Sequence, residues 1–323
     1  QNNLGVMYWR GKGVTQDYQE AAKWYRLAAE QENADAQYNL GLLYRRGQGV
    51  TQDYQEAARL YRLAAMQGKV LAQNNLGLLY EDGQGVIQDY QEAAKWYRQA
   101  AEQGYAFAQN NLGLLYRRGK GVDQDYQEAA KLYRLAAEQG NANGQYNLGL
   151  LYRHGQGMDQ DYSEAAKWYR LSAELGYARA QNNLGLLNAN GQGVTQDYQE
   201  AAKWYRMAVE QGNALAQYNL GLMTFNGKGV TQDHEEAARL YRLAAEQGLA
   251  SAQYALGWMY ANGQGVEQDH VRAHMRFNLA ANKGNSNAEK WRVSISREMT
   301  PAQIAQAQQM ARECEERNYK NCN

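Results

Sequence analysis

Apolar side chains return along this chain in two alternating stripes. In one stretch Ala36, Leu40, Leu43 and Tyr44 fall at spacings that share one helical face, and a wider stripe follows at Ala57, Ala58, Leu60, Tyr61, Ala64 and Ala65. Between them Gly47-Gln48-Gly49-Val50 breaks the first helix, turns the chain and tucks Val50 into the space between the helices. The second helix has a chemical start: the Asp53 carboxylate caps the first turn while Glu56, three residues on, reaches back to the cap backbone. Asp89 with Glu92 and Asp125 with Glu128 repeat that arrangement. Gly68 supplies the stop, because a residue without Cβ tolerates the left-handed turn after a helix.

The pattern is copied at a fixed step of 36 residues. Leu-Gly recurs at Leu4, Leu40, Leu76, Leu112, Leu148, Leu184, Leu220 and Leu256, and the capping aspartate at Asp17, Asp53, Asp89, Asp125, Asp161, Asp197, Asp233 and Asp269. A chain of this length otherwise suggests about two domains; an array without insertions predicts an all-α stack of helix-turn-helix repeats instead. After Asp269 the copy decays, with His270, His274, Met275 and Phe277 in place of Tyr, Ala, Lys/Arg and Tyr. A shortened helix is expected near residues 287–296. Thr300-Pro301-Ala302-Gln303 then opens a last helix, with Thr300 as cap, Pro301 at the first helical position and Gln303 as box partner, running to about Glu316 as a lid on the final copy. Residues 1–296 are therefore read as tandem repeats, the first truncated and the last degenerate, and residues 297–323 as a capping helix and tail. The chain opens at Gln1 in the middle of a first helix with no cap and no initiator Met, and reads as a fragment or processed form in which no signal peptide is present.

Composition narrows the function classes. A formal net charge of +0 and a pI near 7.1 give no global attraction to nucleic acid or to an anionic membrane, so either would need a local patch, and no nucleic-acid partner is expected. With a mean hydropathy of -0.80, no segment is apolar for long enough to insert in a bilayer. The skew toward 26 tyrosines and 32 glycines beside 3 phenylalanines and 1 proline is what copying one short unit produces.

One unit reads A-x-A-Q-x-N-L-G-x-L-Y-x-x-G-x-G-V-x-Q-D-x-x-E-A-x-x-W-Y-x-x-A-A-E-Q-G, as in residues 106–140 with Leu132 in the Trp place. It strongly resembles the Sel-one-like repeat family, relatives of tetratricopeptide repeats, and the match covers nearly the whole chain. The resemblance implies a right-handed α/α superhelical solenoid with first helices on the concave side. It also implies a non-enzymatic scaffold or adaptor and, as in many bacterial members, export to the periplasm or beyond rather than a cytoplasmic location. The alternative it raises is a cell-wall protein that binds or processes peptidoglycan or β-lactam. Relatives linked to that role carry a cysteine pair in each repeat, and this array has none.

In related arrays first-helix side chains line the binding groove, which sets Asp35, Tyr38, Leu42, Arg45 and Arg46 there, at spacings that share one helix face. These places vary between copies: Leu71, Phe107, Asn143, Arg179, Leu215 and Ser251 stand at the Asp35 place, and Asn or Tyr alternates at the Tyr38 place, Tyr146 among them. At the Arg45/Arg46 place the series runs Trp9/Arg10, Arg45/Arg46, Glu81/Asp82, Arg117/Arg118, Arg153/His154, Ala189/Asn190, Phe225/Asn226 and Ala261/Asn262. A protein or peptide partner is therefore expected to place anionic groups near Arg10, Arg45, Arg117, Arg118 and Arg153, and apolar or aromatic groups near Tyr218, Phe225, Tyr254 and Trp258. The plainer reading is that these arginines offset helix dipoles and cover aromatic surface with their stems.

Other chemistry is weaker. A phosphate loop needs a strand before it and a helix N-terminus at the phosphate, whereas here the Gly-x-Gly lies between helices in every copy. His270 and His274 have a zinc-like spacing, but Val271, Arg272 and Ala273 lie between them in place of a catalytic glutamate, and Arg272 is a poor neighbour for a cation. Histidine occurs otherwise only at His154 and His234, so no nucleophile-base arrangement can be argued; no metal, cofactor or catalytic residue is expected. Cys314 and Cys322 are the only cysteines, and a bridge between them would pin the tail to the lid helix in an oxidising compartment; the alternative is two reduced thiols of a cytosolic protein.

Overall fold

The structure is a computed structural model that describes residues 1–322. Every regular element among them is a helix, and the backbone falls into two compact units, Gln1–Gln160 and the remainder from Asp161. The first unit holds α1 (Asn2–Arg10), α2 (Tyr18–Ala29), α3 (Ala34–Arg46), α4 (Tyr54–Met66), α5 (Val70–Asp82), α6 (Tyr90–Glu102), α7 (Ala106–Arg118), α8 (Tyr126–Glu138) and α9 (Ala142–His154). The second holds α10 (Tyr162–Glu174), α11 (Ala178–Asn190), α12 (Tyr198–Glu210), α13 (Ala214–Asn226), α14 (His234–Ala245), α15 (Ala250–Asn262), α16 (His270–Asn282), α17 (Ser286–Ser296) and α18 (Pro301–Glu316). Within each unit successive helices pack in chain order as an α/α solenoid. None is long and apolar enough to cross a membrane.

The two apolar stripes are the core. Ala36, Leu40 and Leu43 of α3 and all six stripe residues of α4 are buried. Each pair closes on a tyrosine laid against a helical glycine. A Cβ at Gly41 would lie 2.7 Å from the Tyr61 ring, and at Gly77 2.6 Å from Tyr97, so the glycine of Leu-Gly is a notch for a ring whose burial contributes about 2–3 kcal/mol. Val50 packs at the edge of the cluster formed by α2, α3 and Leu60.

The turn does more than reverse the chain. Gly47 and Gly49 both have positive φ, and a Cβ on Gly49 would lie 2.2 Å from the carbonyl group of Tyr18, at the start of the preceding repeat's second helix. The second glycine is therefore a contact between repeats as well as a bend.

The expected capping box of the second helices does not form. Asp53 accepts from the amides of Gln55 and Glu56 at 2.9 and 3.0 Å, but its own amide donates to the Tyr44 carbonyl across the turn at 2.9 Å. With the cap amide taken, Glu56 turns to Arg59, 2.7 Å away. The amides of Asp89 and Asp125 are likewise taken by the Tyr80 and Tyr116 carbonyls. Thr300 and Gln303 do form the complete box at the start of α18.

Two polar ladders run through the stack: a glutamine ladder closes the second helix of each repeat on its own first helix, and an asparagine ladder ties one repeat to the next. Gln67, Gln103 and Gln139 donate to Gln37, Gln73 and Gln109, each at 2.8 Å, and Asn111 and Asn147 donate to Asn74 and Asn110 at 3.2 and 2.9 Å. The Asn members at the Tyr38 place thus stitch one first helix to the next. The Asn and Tyr alternation there is partly a matter of stacking, because a buried amide must find a partner. At the far end α18 packs on α16, burying Ala307, Ala311 and Cys314 with Met275 and Leu279, and Cys314 is disulfide-bonded to Cys322.

Candidate functional site

In the first unit the second helices carry their charge in closed pairs. Lys23, Arg59, Lys95 and Lys131 each bind the glutamate three residues earlier, at 2.7 to 3.2 Å. Arg26, Arg62, Arg98 and Arg134 each donate to a tyrosine hydroxyl on the following first helix. The first-helix ends differ. Among the described residues Arg10, Arg45, Arg46, Arg117, Arg118 and Arg153 form no ion pair, with Arg46 and Arg118 exposed and Arg45, Arg117 and Arg153 half-buried. Arg10 lies over the Trp9 ring, its guanidinium carbon 5.9 Å from the centroid.

These side chains gather around buried tyrosines. Burial pushes the Tyr25 hydroxyl up to about 12, and the nearby Arg10 pulls the other way. Burial likewise raises Tyr61, countered by Arg45, and Tyr133, countered by Arg117 and Arg118. In the acidic copy the sign is inverted: the Tyr97 hydroxyl donates to Glu81 at 2.8 Å, and burial, Glu81 and Asp82 all hold it protonated. Half-buried Tyr38 packs on Tyr61 with ring centroids 5.8 Å apart. Asp35 is ion-paired to Lys69 at the start of α5, while Phe107 in the same place stands 53% exposed beside Tyr105. Tyr146 on α9 is half-buried.

His154 ends this row. Partial burial and then Arg153 and Arg117 hold its imidazole below the ordinary histidine value of 6.5. As pH falls through 6.5 the unfolded chain takes up this proton before the folded chain does, so acidification costs stability here. Removing Arg117 is expected to raise the His154 pKa, read from its ring resonances in an NMR titration of wild type and Arg117→Ala; an unmoved midpoint would place Arg117 too far away to matter.

In the second unit the same registers turn aromatic. Tyr218 and Phe225 of α13 with Tyr254 and Trp258 of α15 line one open cleft of about 250 Å³, joined by Leu222. Phe225 meets Trp258 edge-on at 5.7 Å and stacks on His234 at 4.6 Å, while Tyr218 and Tyr254 lean on Tyr241 and Phe277. The rings are braced from behind and half open in front, a wall on which an apolar side chain can rest. Leu222, 44% exposed, stands at the Leu42 place that the sequence set in the groove, whereas His234, at the Tyr54 place where the second helix starts, was read only as a substitute for tyrosine and not as part of a site. His274 is buried in α16, while His270 sits beside Gln268 and, at 3.9 Å, Glu298.

A family model described as Sel1 repeat matches residues 1–33, 34–69, 70–105, 106–141, 142–177, 178–213, 214–249 and 250–285. Among solved structures, the chain is 32% identical to a protective antigen of uropathogenic Escherichia coli displaying an SLR fold. That similarity has a TM-score of 0.62 and covers 99% of this chain and 84% of the other. It is 34% identical to a Sel1 repeat protein from Oxalobacter formigenes, with a TM-score of 0.69 and coverage of 76% and 96%. No protein of curated function matches.

Proposed function

The chain belongs to the Sel1 repeat family, and from that premise we propose that it is a non-enzymatic scaffold that binds a protein partner along its first-helix faces. Solenoids of this family generally mediate protein-protein interactions. The observation that carries the finer reading is the asymmetry of charge pairing within the first unit: basic side chains of its second helices are closed by glutamate or tyrosine, and those at its first-helix ends form no ion pair among the described residues. Unpaired guanidinium forks suit carboxylates of a partner. The aromatic cleft of the second unit supplies an apolar anchor of the kind that dominates interface energies. The Cys314–Cys322 disulfide and the likeness to an Escherichia coli protective antigen support an exported protein.

Crosslinking mass spectrometry in the native cell identifies the partner, with crosslinks expected on the first helices. Arg45→Glu with Arg46→Glu, and separately Arg117→Glu with Arg118→Glu, should then weaken binding at least about tenfold and flatten its salt dependence. Unchanged affinity and salt slope would refute the charged face, and retention on peptidoglycan or turnover of nitrocefin would move the protein to a cell-wall role.

A further inference from the structure

The order of charges along the first unit says more about the partner than their sum, and this step rests on the scaffold reading above. Arg10, Arg45/Arg46, Glu81/Asp82, Arg117/Arg118 and Arg153/His154 occupy one register in successive first helices, so the row is basic, basic, acidic, basic, basic. The register is physically continuous. Asn111 and Asn147 tie α7 to α5 and α9 to α7, Arg45 and Glu81 both act on the Tyr97 hydroxyl, and Arg117 and Arg153 both act on His154. Yet among the described residues no ion pair closes Glu81 or Asp82 on a neighbouring arginine. Glu81 uses one oxygen on Tyr97, and Asp82 is exposed. Both signs therefore remain available to a partner.

The Asn–Asn bonds join first helices of successive repeats directly, which sets those helices near the packed-helix spacing of about 8–10 Å, and an extended chain advances about 3.3 Å per residue, so about every third residue of a strand-like segment meets successive repeats. We propose that the first unit recognises an extended protein segment bearing acidic, basic and acidic side chains at every third position. Its basic residue sits at Glu81/Asp82, and its acidic residues sit at Arg45/Arg46 and Arg117/Arg118. A uniformly acidic segment would set like charge against the acidic copy, and a uniformly basic one would fail at both flanks.

Calorimetric titration of the full chain at low salt tests this with Asp-Ser-Ser-Arg-Ser-Ser-Asp, Asp-Ser-Ser-Asp-Ser-Ser-Asp and Arg-Ser-Ser-Asp-Ser-Ser-Arg peptides. The first should bind about fivefold more tightly than the second, and the third weakest. Glu81→Arg with Asp82→Arg should reverse the order of the first two. Asp82→Arg alone, which leaves the Tyr97 bond intact, should narrow the gap even if the double variant folds poorly. Equal binding of the first two peptides, or a preference that ignores these variants, overturns the charge order; if Arg117→Glu with Arg118→Glu still abolishes binding, the scaffold reading stands. Failure of every peptide to bind, or indifference to the arginine reversal, removes both.

Discussion

Replacing Gly85 by alanine is expected to cost the first unit at least about 3 kcal/mol, whereas the same change at Gly104 costs about 1 kcal/mol. Both glycines have positive φ, +70° and +85°, so both substitutions carry the left-handed penalty of an L-residue. They differ in surroundings. A Cβ at Gly104 meets nothing within 4 Å, while at Gly85 it would lie 2.1 Å from the carbonyl oxygen of Tyr54 and 2.6 Å from the amide nitrogen of Gln55. Those are backbone atoms at the start of α4, whose cap hydrogen bonds leave them little freedom to retreat. The only relief is to move one repeat away from the next, which forfeits packing along the shared interface. Because stability in such arrays is a sum of repeat and neighbour terms, the defect should also split the urea transition of the first unit into two. Equal losses for the two variants, within about 0.5 kcal/mol, would mean the turn yields more easily than its contacts imply.

The helices and their turns were readable because period and punctuation agree. Apolar residues at helical spacing and an aspartate before each second helix repeat without a slip, a glycine follows that helix in every copy but the first, where Glu32 takes the left-handed turn, and the final box at Thr300 and Gln303 forms as its residues prescribe. The cap at Asp53 shows where reading stops. Glu56 had two suitable partners, the cap amide and Arg59, and only the path of the turn, which hands that amide to the Tyr44 carbonyl, decides between them. Gly41 likewise reads as a weak point in a helix until the Tyr61 ring is seen against it. The candidate site divides the same way. Variation between copies pointed to Phe225 and Trp258, but their convergence with Tyr218, Tyr254 and Leu222 depends on how α13 and α15 pack. The arginines at the first-helix ends were visible in the chain; that they lack carboxylate partners was not, since an ion pair can form between residues far apart in sequence.

Reducing the Cys314–Cys322 disulfide is expected to destabilise the end of the second unit by roughly 3 kcal/mol, and much of that loss should depend on Arg276. Where other copies place a basic residue and then Leu or Trp, as in Arg59-Leu60 and Lys95-Trp96, the last copy has Met275-Arg276. The inversion fits its setting: Met275 is buried beneath α18, and Arg276 lies wholly out of solvent, its Nη2 donating to the Cys322 carbonyl. Nε and Nη1 have no hydrogen-bond partner, and burial pulls the guanidinium down to about 10. The bridge closes a short loop, with a sequence separation of 8, which contributes about 2.5 kcal/mol by constraining the unfolded chain. It also holds Asn318, Tyr319 and Asn321 at positive φ, and their relaxation on release offsets part of that gain. Once the tail is free, the Arg276 guanidinium loses the Cys322 carbonyl as its acceptor, and the cost of leaving that largely buried group without a hydrogen-bond partner restores the balance. Arg276→Met removes that charge at similar volume, so the gap between oxidised and reduced protein should shrink by about half in the variant. Urea unfolding of both proteins with and without reductant measures the four corners of the cycle. Identical gaps in wild type and variant would sever Arg276 from the bridge, and titratable thiols in denatured, unreduced protein would remove the bridge itself.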